Sequence, residues 1–250
     1  MINDISCFYG PWTTHPVQGD VRQVSEKLKR IGIDRGYISP LAAVWCRNQH
    51  LYNCELLELT SEFENLLPVP VLDVSVPTWQ EECIEMCKDT RVKMFRVFLN
   101  YTYWDQSMHN LKEIFKFFAE KNIPVIFQRR MEDRRYNHKL AQVQDADINN
   151  VVIKYAMRVP ELKLVIGAAA VAHLNSSILD HKGIYLDTSM LEELKWAREA
   201  FDNGLGGRLL LGSHIPIFEE NAGFSRFLPQ LADDEAEMVF DRNFEKLLNS

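Results

Sequence analysis

The stretch that decides the fold is LKEIFKFFAEKNIPVIFQ, residues 111–128. Its first part, Leu111–Lys121, carries apolar residues at intervals of three and four, which is typical of a helix with one buried face. Asn122 ends this helix, and Ile123–Gln128 follows as a short apolar run of the length of a strand. A helix followed at once by a buried strand is a repeating unit of α/β proteins with a parallel sheet. The apolar positions of the helix are Leu111, Ile114, Phe115 and Phe118.

The same alternation continues in both directions from this unit. Strands are predicted over eight segments: Ile2–Tyr9, Gly36–Ser39, Pro68–Val76, Val92–Leu99, Ile123–Gln128, Leu162–Ala169, Ile184–Ser189 and Arg208–Ser213. One helix is predicted after Asp20, which caps it, and others over Leu51–Phe63, Trp79–Thr90, Leu111–Lys121, Asp147–Arg158, Asn175–Leu179, Leu191–Asp202 and Asp233–Leu248. Eight strands alternating with helices occupy residues 1–250 and predict a single α/β domain, a (β/α)8 TIM barrel.

A doubly wound open sheet is the alternative fold. Such a sheet usually carries a glycine-rich loop after its first strand, which cradles the phosphates of a dinucleotide. Residues 8–12 of this chain are Phe-Tyr-Gly-Pro-Trp, whose bulky side chains cannot wrap a pyrophosphate. The sequence therefore favours the barrel.

The overall charge and the hydropathy pattern exclude several classes of partner. The formal net charge is −7, which argues against a nucleic-acid binder. The chain has no run of 18 apolar residues, and its first residues lack the basic and apolar regions of a secretion signal. We therefore expect a cytoplasmic protein with a small-molecule substrate, five free cysteines, and no nucleic-acid or membrane partner. Formation of a homo-oligomer is left open.

A barrel of this kind carries its active site at the carboxyl ends of the strands. Arg96 and Arg130 end adjacent strands, and we expect them to form a fork for a carboxylate or a phosphate. Salt bridges to an acidic loop such as Glu132–Asp133 are the alternative. Tyrosine and tryptophan side chains on the same rim suit a small organic ligand. The residues predicted to bind substrate are Ser6, Phe8, Tyr9, Trp12, Arg96, Tyr103, Gln128 and Arg130.

Four stretches of sequence and the closing helix carry a family resemblance. The stretches are residues 4–10 (Asp-Ile-Ser-Cys-Phe-Tyr-Gly), 123–128 (Ile-Pro-Val-Ile-Phe-Gln), 160–167 (Pro-Glu-Leu-Lys-Leu-Val-Ile-Gly) and 208–216 (Arg-Leu-Leu-Leu-Gly-Ser-His-Ile-Pro). In this order they resemble segments of the amidohydrolase superfamily, in its subgroup of small, compact barrels. Residues 243–248 resemble the last helix of that family. The resemblance covers nearly the whole chain and implies a barrel hydrolase.

The positions that bind metal in that family carry other residues here. The resemblance places them at Ser6, Phe8, Gln128, about Ala168, and His214. Phe8 and Ala168 have no donor atom, and a divalent metal needs three or four nitrogen, oxygen or sulfur ligands held together. We therefore expect no tightly bound metal and no other cofactor. The alternative is a rebuilt site for a metal such as zinc, with His15, His173 and His214 as ligands.

Without a metal-bound water, a side chain must serve as the general base. His214 is the predicted base, because an unperturbed imidazole titrates near pH 6.5, and Asp187 on the neighbouring strand is expected to orient its ring. This predicts an amidohydrolase-like hydrolase, or a decarboxylase-type lyase, that acts on a small anionic organic substrate. The alternatives are a barrel that has lost catalysis and binds a ligand or a protein partner, and an enzyme with the rebuilt metal site.

Overall fold

The computed structural model describes residues 1–13, 17, 19–102, 111–133, 135, 143–193, 195–219, 225 and 228–249. Nine strand segments occur among them, numbered here in chain order: β1 Asn3–Tyr9, β2 Arg35–Pro40, β3 Leu66–Pro68, β4 Val71–Leu72, β5 Phe95–Val97, β6 Val125–Gln128, β7 Leu164–Gly167, β8 Ile184–Asp187 and β9 Leu209–Leu210. All pairings between neighbouring strands are parallel, in the orders β1-β2-β3 and β4-β5-β6-β7-β8-β9.

Strands β3 and β4 are two parts of one barrel strand that is interrupted at Val69 and Pro70. The backbone N–H of Val69 still donates to Ile38 O at 2.9 Å, and the backbone N–H of Arg96 donates to Pro70 O at 2.9 Å. The ladder therefore continues on both sides of the interruption. Pro70 has no N–H to give to a neighbouring strand, which explains why the regular pairing breaks at this point.

Backbone hydrogen bonds also join β1 to the chain that follows β9. Ile5 N donates to Leu211 O at 2.9 Å, His214 N donates to Ser6 O at 2.8 Å, and Phe8 N donates to Ile215 O at 2.8 Å. The first and last strands thus hold one another, and eight parallel strands close into a barrel. The predicted TIM barrel is confirmed.

The described helices cover the outside of the barrel. The α-helices are α1 Val21–Arg30, α2 Gln49–Thr60, α3 Trp79–Met86, α4 Leu111–Glu120, α5 Lys154–Ala156, α6 Trp196–Asp202, α7 Asp233–Glu237 and α8 Asn243–Asn249. Short 3-10 helices span Leu41–Val44, Val171–His173, Ser176–Asp180, Gly206–Arg208 and Leu228–Gln230. Two π-helical segments, Ile148–Ile153 and Met238–Arg242, run directly into α5 and α8. Among the described residues, no helix is both long enough and apolar enough to cross a membrane.

Several predicted boundaries hold, and others move for local reasons. Asp20 caps α1 as predicted, since its side chain accepts from Gln23 N. The third strand ends before its predicted limit, because the Asp73 carboxylate accepts from Ser75 N at 2.9 Å and turns the chain out of the sheet. The helix predicted from Leu191 begins only at Trp196, and the short helix predicted over Asn175–Leu179 is a 3-10 helix.

Two apolar layers fill the barrel and leave a polar layer between them. The layer toward the amino ends of the strands is capped by α8 and contains Ile5, Tyr37, Val69, Met94, Ile126, Val165, Tyr185, Leu210, Phe244 and Leu247. The layer toward the carboxyl ends contains Phe8, Trp12, Leu41, Ala43, Val44, Val71, Phe98 and Met131. The outer faces of the strands pack against the helices in a third, larger cluster.

Candidate functional site

Five of the polar residues predicted for the site, together with Phe8, meet inside the barrel. Ser6, Arg96, Gln128, Asp187 and His214 come from five different strands or strand ends, and all are fully buried. The following contacts join them into one cluster, called here the polar layer. No single strand contributes enough of it to function alone, so the closed barrel is what assembles the site.

His214 is held in one tautomer by its hydrogen bonds. Its Nε2 lies 2.7 Å from Met131 O, and a carbonyl oxygen can only accept, so Nε2 carries the proton. The Nδ1 atom is therefore an acceptor, and it lies 3.4 Å from the Ser6 hydroxyl, which donates to it. Burial lowers the pKa of His214 to about 4, although the charge of Asp187 acts in the opposite direction. The ring is thus neutral at physiological pH, with its basic nitrogen facing Ser6.

Arg96 forms the cationic centre of the polar layer. Its Nη1 donates to Gln128 Oε1 at 2.7 Å and its Nη2 donates to Ile5 O at 2.7 Å. The guanidinium also lies over the Phe8 ring, 4.5 Å from the ring centre. Burial lowers the pKa of Arg96 to about 10, and the charge of Asp187 opposes this effect. The side chain keeps its charge at neutral pH, and its Nε has no hydrogen-bond partner among the described residues.

Two buried acidic side chains, Asp187 and Asp4, act electrostatically on Arg96. Asp187 accepts from Ala168 N at 3.2 Å and from Ser189 N at 2.5 Å. The hydrogen bond that orients the His214 ring comes from the Met131 carbonyl and not from Asp187, which acts on the ring through its charge. Asp4 accepts from Ser6 N at 2.9 Å and from Ser213 N at 3.0 Å, and burial raises its pKa.

Two glycines make room for these polar side chains. A Cβ on Gly212 would lie 2.3 Å from Asp187 Oδ1, and a Cβ on Gly167 would lie 2.3 Å from Gln128 Oε1. Only glycine permits these approaches of backbone to side chain. Gly167 and Gly212, which stand in the family-like stretches 160–167 and 208–216, therefore have a direct packing role beside the polar layer.

Arg96 and Arg130 reach different partners. Arg130 pairs with Asp145, which also accepts from Arg129 Nη1 at 2.5 Å. Arg129 and Arg130 thus share Asp145 as a partner. Asp133, which belongs to the acidic loop of the alternative prediction, pairs with Arg135. Arg96 bonds to Gln128 Oε1 and Ile5 O, so the contacts of the two arginines differ. Their joint role in substrate binding stays a prediction.

The predicted aromatic residues occupy two separate places. Trp12 lies on the carboxyl-end apolar layer, where it packs with Trp45 and Tyr101 and donates from Nε1 to the buried carboxylate of Glu132 at 3.0 Å. Tyr9 instead lines a cavity of about 550 Å³ on the outside of the barrel, beside α1 and α2. Tyr103 lies outside the described residues.

The residues at the family's metal positions do not fit a tightly held divalent cation. Phe8 and Ala168 have no donor atoms, and both ring nitrogens of His214 already have protein partners. Of the rebuilt set, His15 lies outside the described residues, and His173 Nδ1 accepts from Ala170 N at 3.1 Å. Within the described part of the chain, no group of three or more histidine, cysteine, aspartate or glutamate side chains is arranged to hold a metal.

Backbone strain marks the same positions. Ala168 has a φ of 52° and His214 a φ of 62°, both in the left-handed region that non-glycine residues rarely adopt. Such conformations cost of the order of 1–3 kcal/mol each and cluster at functional sites. Ala168 directly follows β7 and His214 stands four residues after β9, at positions where the resembled family places ligands.

Some residues of the site carried no sequence signal for their role. Met131 acts through its backbone carbonyl, which any residue would offer. Asp145 lies in a segment without a motif, and Glu132 could be recognised only as an acidic loop residue. Asp4 stands in the family-like stretch at residues 4–10, so its position there was the available signal.

Comparison with known proteins supports the fold. No protein-family model matches the sequence, and no curated protein matches it significantly. Solved structures do match: 2,6-dihydroxybenzoate decarboxylase from Rhizobium has a TM-score of 0.75 at 12% identity and covers 99% of this chain and 98% of its own. An uncharacterised TIM-barrel protein from Bordetella bronchiseptica has a TM-score of 0.70 at 15% identity, covering 99% of this chain and 98% of its own.

A third similar structure is a putative amidohydrolase from Staphylococcus aureus, with a TM-score of 0.69 at 14% identity over 100% of this chain and 99% of its own. Identities this low bear on the fold and leave the activity open. The chain has the barrel fold that these decarboxylase and amidohydrolase structures share, which is the fold that the amidohydrolase resemblance of its sequence implies.

Proposed function

We propose that this protein is a hydrolase or a decarboxylase-type lyase that acts on a small anionic organic compound at the carboxyl end of the barrel. It works without a tightly bound metal, and His214 is the general base. The observation that carries the proposal is the neutral His214 ring, held by Met131 in the one tautomer that presents Nδ1 to the Ser6 hydroxyl.

The hydrogen-bond pattern of His214 matches what general-base catalysis needs. A base must be unprotonated and oriented before it takes a proton, and the Met131 carbonyl supplies the orientation. Nδ1 can then take a proton from Ser6 or from a substrate or water at that position. The separation of 3.4 Å is long for a hydrogen bond, and catalytic hydrogen bonds often shorten only when substrate binds.

The buried charges support a functional role for the polar layer. Burying Arg96 and two carboxylates costs free energy that an apolar layer would not, and ionisable groups with shifted pKa values concentrate at active sites. The positive charge of Arg96 suits an anionic substrate. One structurally similar protein is named as a decarboxylase of 2,6-dihydroxybenzoate, which is an anionic aromatic acid.

A barrel that binds a ligand without turning it over is the second candidate. The observation that favours it is that Nδ1 and Nε2 of His214, and Nη1 and Nη2 of Arg96, already have protein partners in a fully buried layer. A substrate would have to displace at least one of these partners before it could contact the layer.

The test is turnover by chelator-treated protein, measured as carbon dioxide released from hydroxybenzoates and as acid formed from small lactones and amides. Because a positioned general base contributes typically 10²–10⁴-fold, we expect His214→Gln to lower kcat by about that factor. His181→Gln is the matched control. His181 is equally buried but lies before β8, at the opposite end of the barrel, where its Nε2 meets Val159 O at 2.9 Å.

Equal turnover by His214→Gln and the unmodified protein would remove His214 from the mechanism. Stabilisation of the protein against heat by one of these compounds, without any turnover, would favour the binding barrel instead. Activity that disappears on chelation and returns with added metal would contradict the metal-independent mechanism.

A further inference from the structure

A cavity with a positively charged lining lies at the amino end of the barrel, opposite the polar layer. Its volume is about 400 Å³, and its walls come from the segments that lead into β6, β7 and β8 and from α8. We call it the amino-end cavity. The lining residues that matter here are Lys163, Lys182, Lys246, Glu161, Tyr185 and Pro160, none of which belongs to the polar layer.

Lys163 brings a buried ammonium group to this cavity. The backbone pairing of β7 with β6 already includes Lys163, whose O accepts from Val125 N at 2.9 Å. Because side chains alternate along a strand, Lys163 faces the same side as Val165, which belongs to the apolar layer inside the barrel. Lys163 is only 5% exposed, and its Nζ is buried without a hydrogen-bond partner among the described residues.

The unpaired charge of Lys163 is costly to the folded protein. A buried ammonium group loses its hydration, and lysine is almost never fully buried unless it is paired. Burial accordingly lowers the pKa of Lys163, and no described carboxylate forms an ion pair with it. An anion bound in the amino-end cavity would supply the missing counter-charge.

Two more lysines add to the positive charge of the lining. Lys182 stands in the turn before β8 and Lys246 on α8, and both are exposed. Glu161 is the one acidic residue of the described lining, so three lysines and one glutamate give it a net charge of +2. A phosphate monoester carries about −1.5 to −2 charges near neutral pH and matches this value, whereas a monocarboxylate carries only one.

The remaining lining favours an organic ligand. The buried ring of Tyr185 and the ring of Pro160 give the cavity apolar surface beside the lysines. Sites for small molecules combine apolar walls with a few charged or polar groups, in cavities of about 300–1,000 Å³. The amino-end cavity has both properties.

We propose that the amino-end cavity binds a small organic phosphate, with the phosphate group on the Lys163 ammonium and the apolar body against Tyr185. Lys182 and Lys246 strengthen binding through their charges at the mouth of the cavity. Lysine binds phosphate as a point charge, which suits a site built from three ammonium groups. Binding is reversible and involves no covalent step.

This inference goes beyond the proposed catalysis and does not depend on it. The lining residues precede β7 and β8 or lie on α8, whereas His214 and Arg96 belong to the polar layer near the other end of the strands. The test therefore needs no turnover.

The test is isothermal titration calorimetry of the full-length protein with phenyl phosphate, inorganic phosphate and benzoate. We expect one equivalent of phenyl phosphate to bind, more tightly than either of the other two compounds. Lys163→Met should weaken its binding by at least about tenfold, because it removes a charge-assisted hydrogen bond. Lys182→Gln and Lys246→Gln should each weaken it by about two- to fivefold, since exposed charges contribute less.

Lys93→Met is the matched control. Lys93 also stands just before a barrel strand, β5, but it is exposed and does not line the amino-end cavity. It removes the same charge and should leave the titration unchanged.

Stability provides a second readout that does not involve a ligand. Lys163→Met replaces an unpaired buried charge by an apolar side chain of similar length, so the free ligand-less variant should be at least as resistant to urea as the unmodified protein. A loss of stability would show that the ammonium group already has a partner within the protein, which contradicts the proposal.

Three outcomes of the titration overturn the inference. They are the absence of phenyl phosphate binding, binding that Lys163→Met leaves unchanged, and Lys163-dependent binding of benzoate that is as tight as that of phenyl phosphate. The second outcome would place the anion elsewhere, for example near Arg96, and the third would assign the cavity to carboxylates.

Discussion

At the scale of single residues, the interior of this barrel is a set of polar side chains that satisfy one another across strands. Arg96 bonds to Gln128, and His214 bonds to Ser6 and Met131, so each bond joins residues from different strands or strand ends. Since a buried polar group without a partner is costly, each of these contacts stabilises both of the groups that it joins. Because one of these groups, His214, is titratable, the stability of the fold depends on pH.

The prediction at this scale concerns the buried histidines. Burial lowers the pKa of both His214 and His173 to about 4, against 6.5 for an ordinary histidine. Between those values the unfolded chain binds more protons than the folded one, so the free energy of unfolding rises with pH in that window. The stabilisation is complete above about pH 6.5 and is lost as the pH falls toward 4.

The measurement is urea unfolding at a series of pH values from 7 down to 4. We expect His173→Gln and His214→Gln each to flatten the fall in the free energy of unfolding, and the double variant to flatten it further. A double variant with the same slope as the unmodified protein would show that other groups govern the acid sensitivity. The same pKa moves the acid limb of any His214-dependent activity from near neutrality to about pH 4.

At the scale of elements, the interrupted third strand depends on a helix for its completion. Asn53 of α2 donates from Nδ2 to Val71 O at 2.9 Å and accepts from Val71 N at 2.9 Å, as a peptide group of a neighbouring strand would. A side chain therefore takes the place of a neighbouring strand at Val71. This contact ties α2 to the sheet at the point where the ladder is weakest.

We accordingly predict that Asn53→Ala lowers the free energy of unfolding by about 2–4 kcal/mol, because it leaves the N–H and C=O of Val71 buried without partners. Asn150→Ala is the control, since Asn150 is exposed and bonds only within its own turn. It should change stability by less than about 0.5 kcal/mol. Chemical denaturation measures both, and equal effects would contradict the assigned role of Asn53.

At the scale of the whole molecule, the two ends of the chain lock the barrel together. β1 bonds to the segment after β9, and Asn243 of α8 donates to Leu209 O at 2.8 Å and to Gly206 O at 2.9 Å. At the amino end of the barrel, the centre of the Phe244 ring lies 4.6 Å from the centre of the Tyr37 ring on β2. The C-terminal helix is thus part of the core and closes the amino end of the barrel.

Phe244→Ala tests this closure. The ring is almost fully buried, so its loss should cost about 3–5 kcal/mol, the range for a deleted core phenylalanine. Because α8 holds both β2 and the end of β9, we expect the whole domain to unfold in one transition at a lower midpoint. Lys246→Ala, an exposed change in the same helix, should alter stability by less than about 0.5 kcal/mol.

If Phe244→Ala lowers the free energy of unfolding by much less than this range, or if a separate transition appears at a lower midpoint, α8 does not contribute to the core of the barrel. Thermal and urea unfolding, followed by both secondary-structure and tryptophan signals, distinguish these cases. Coincident transitions indicate a single cooperative unit.

The sequence by itself determined the order of strands and helices, because apolar spacing and capping residues such as Asp20 act over a few neighbouring positions. It also placed Arg96, Gln128, Asp187 and His214 near the carboxyl ends of strands, and its family resemblance indicated that the metal-binding positions carry other residues. Strand limits such as that of the third strand were less accurate, since a local turn at Asp73 ended the strand early.

Tertiary structure alone decided which of these polar groups are partners. The hydrogen bond from His214 to the Met131 carbonyl joins residues 83 positions apart, and Arg130 pairs with Asp145, a residue that carried no sequence signal. Such contacts depend on how the closed barrel brings strand ends and loops together, and no local pattern encodes a backbone carbonyl as a partner. The tautomer and low pKa of His214 therefore follow from burial and closure, which are properties of the folded barrel and of no segment within it.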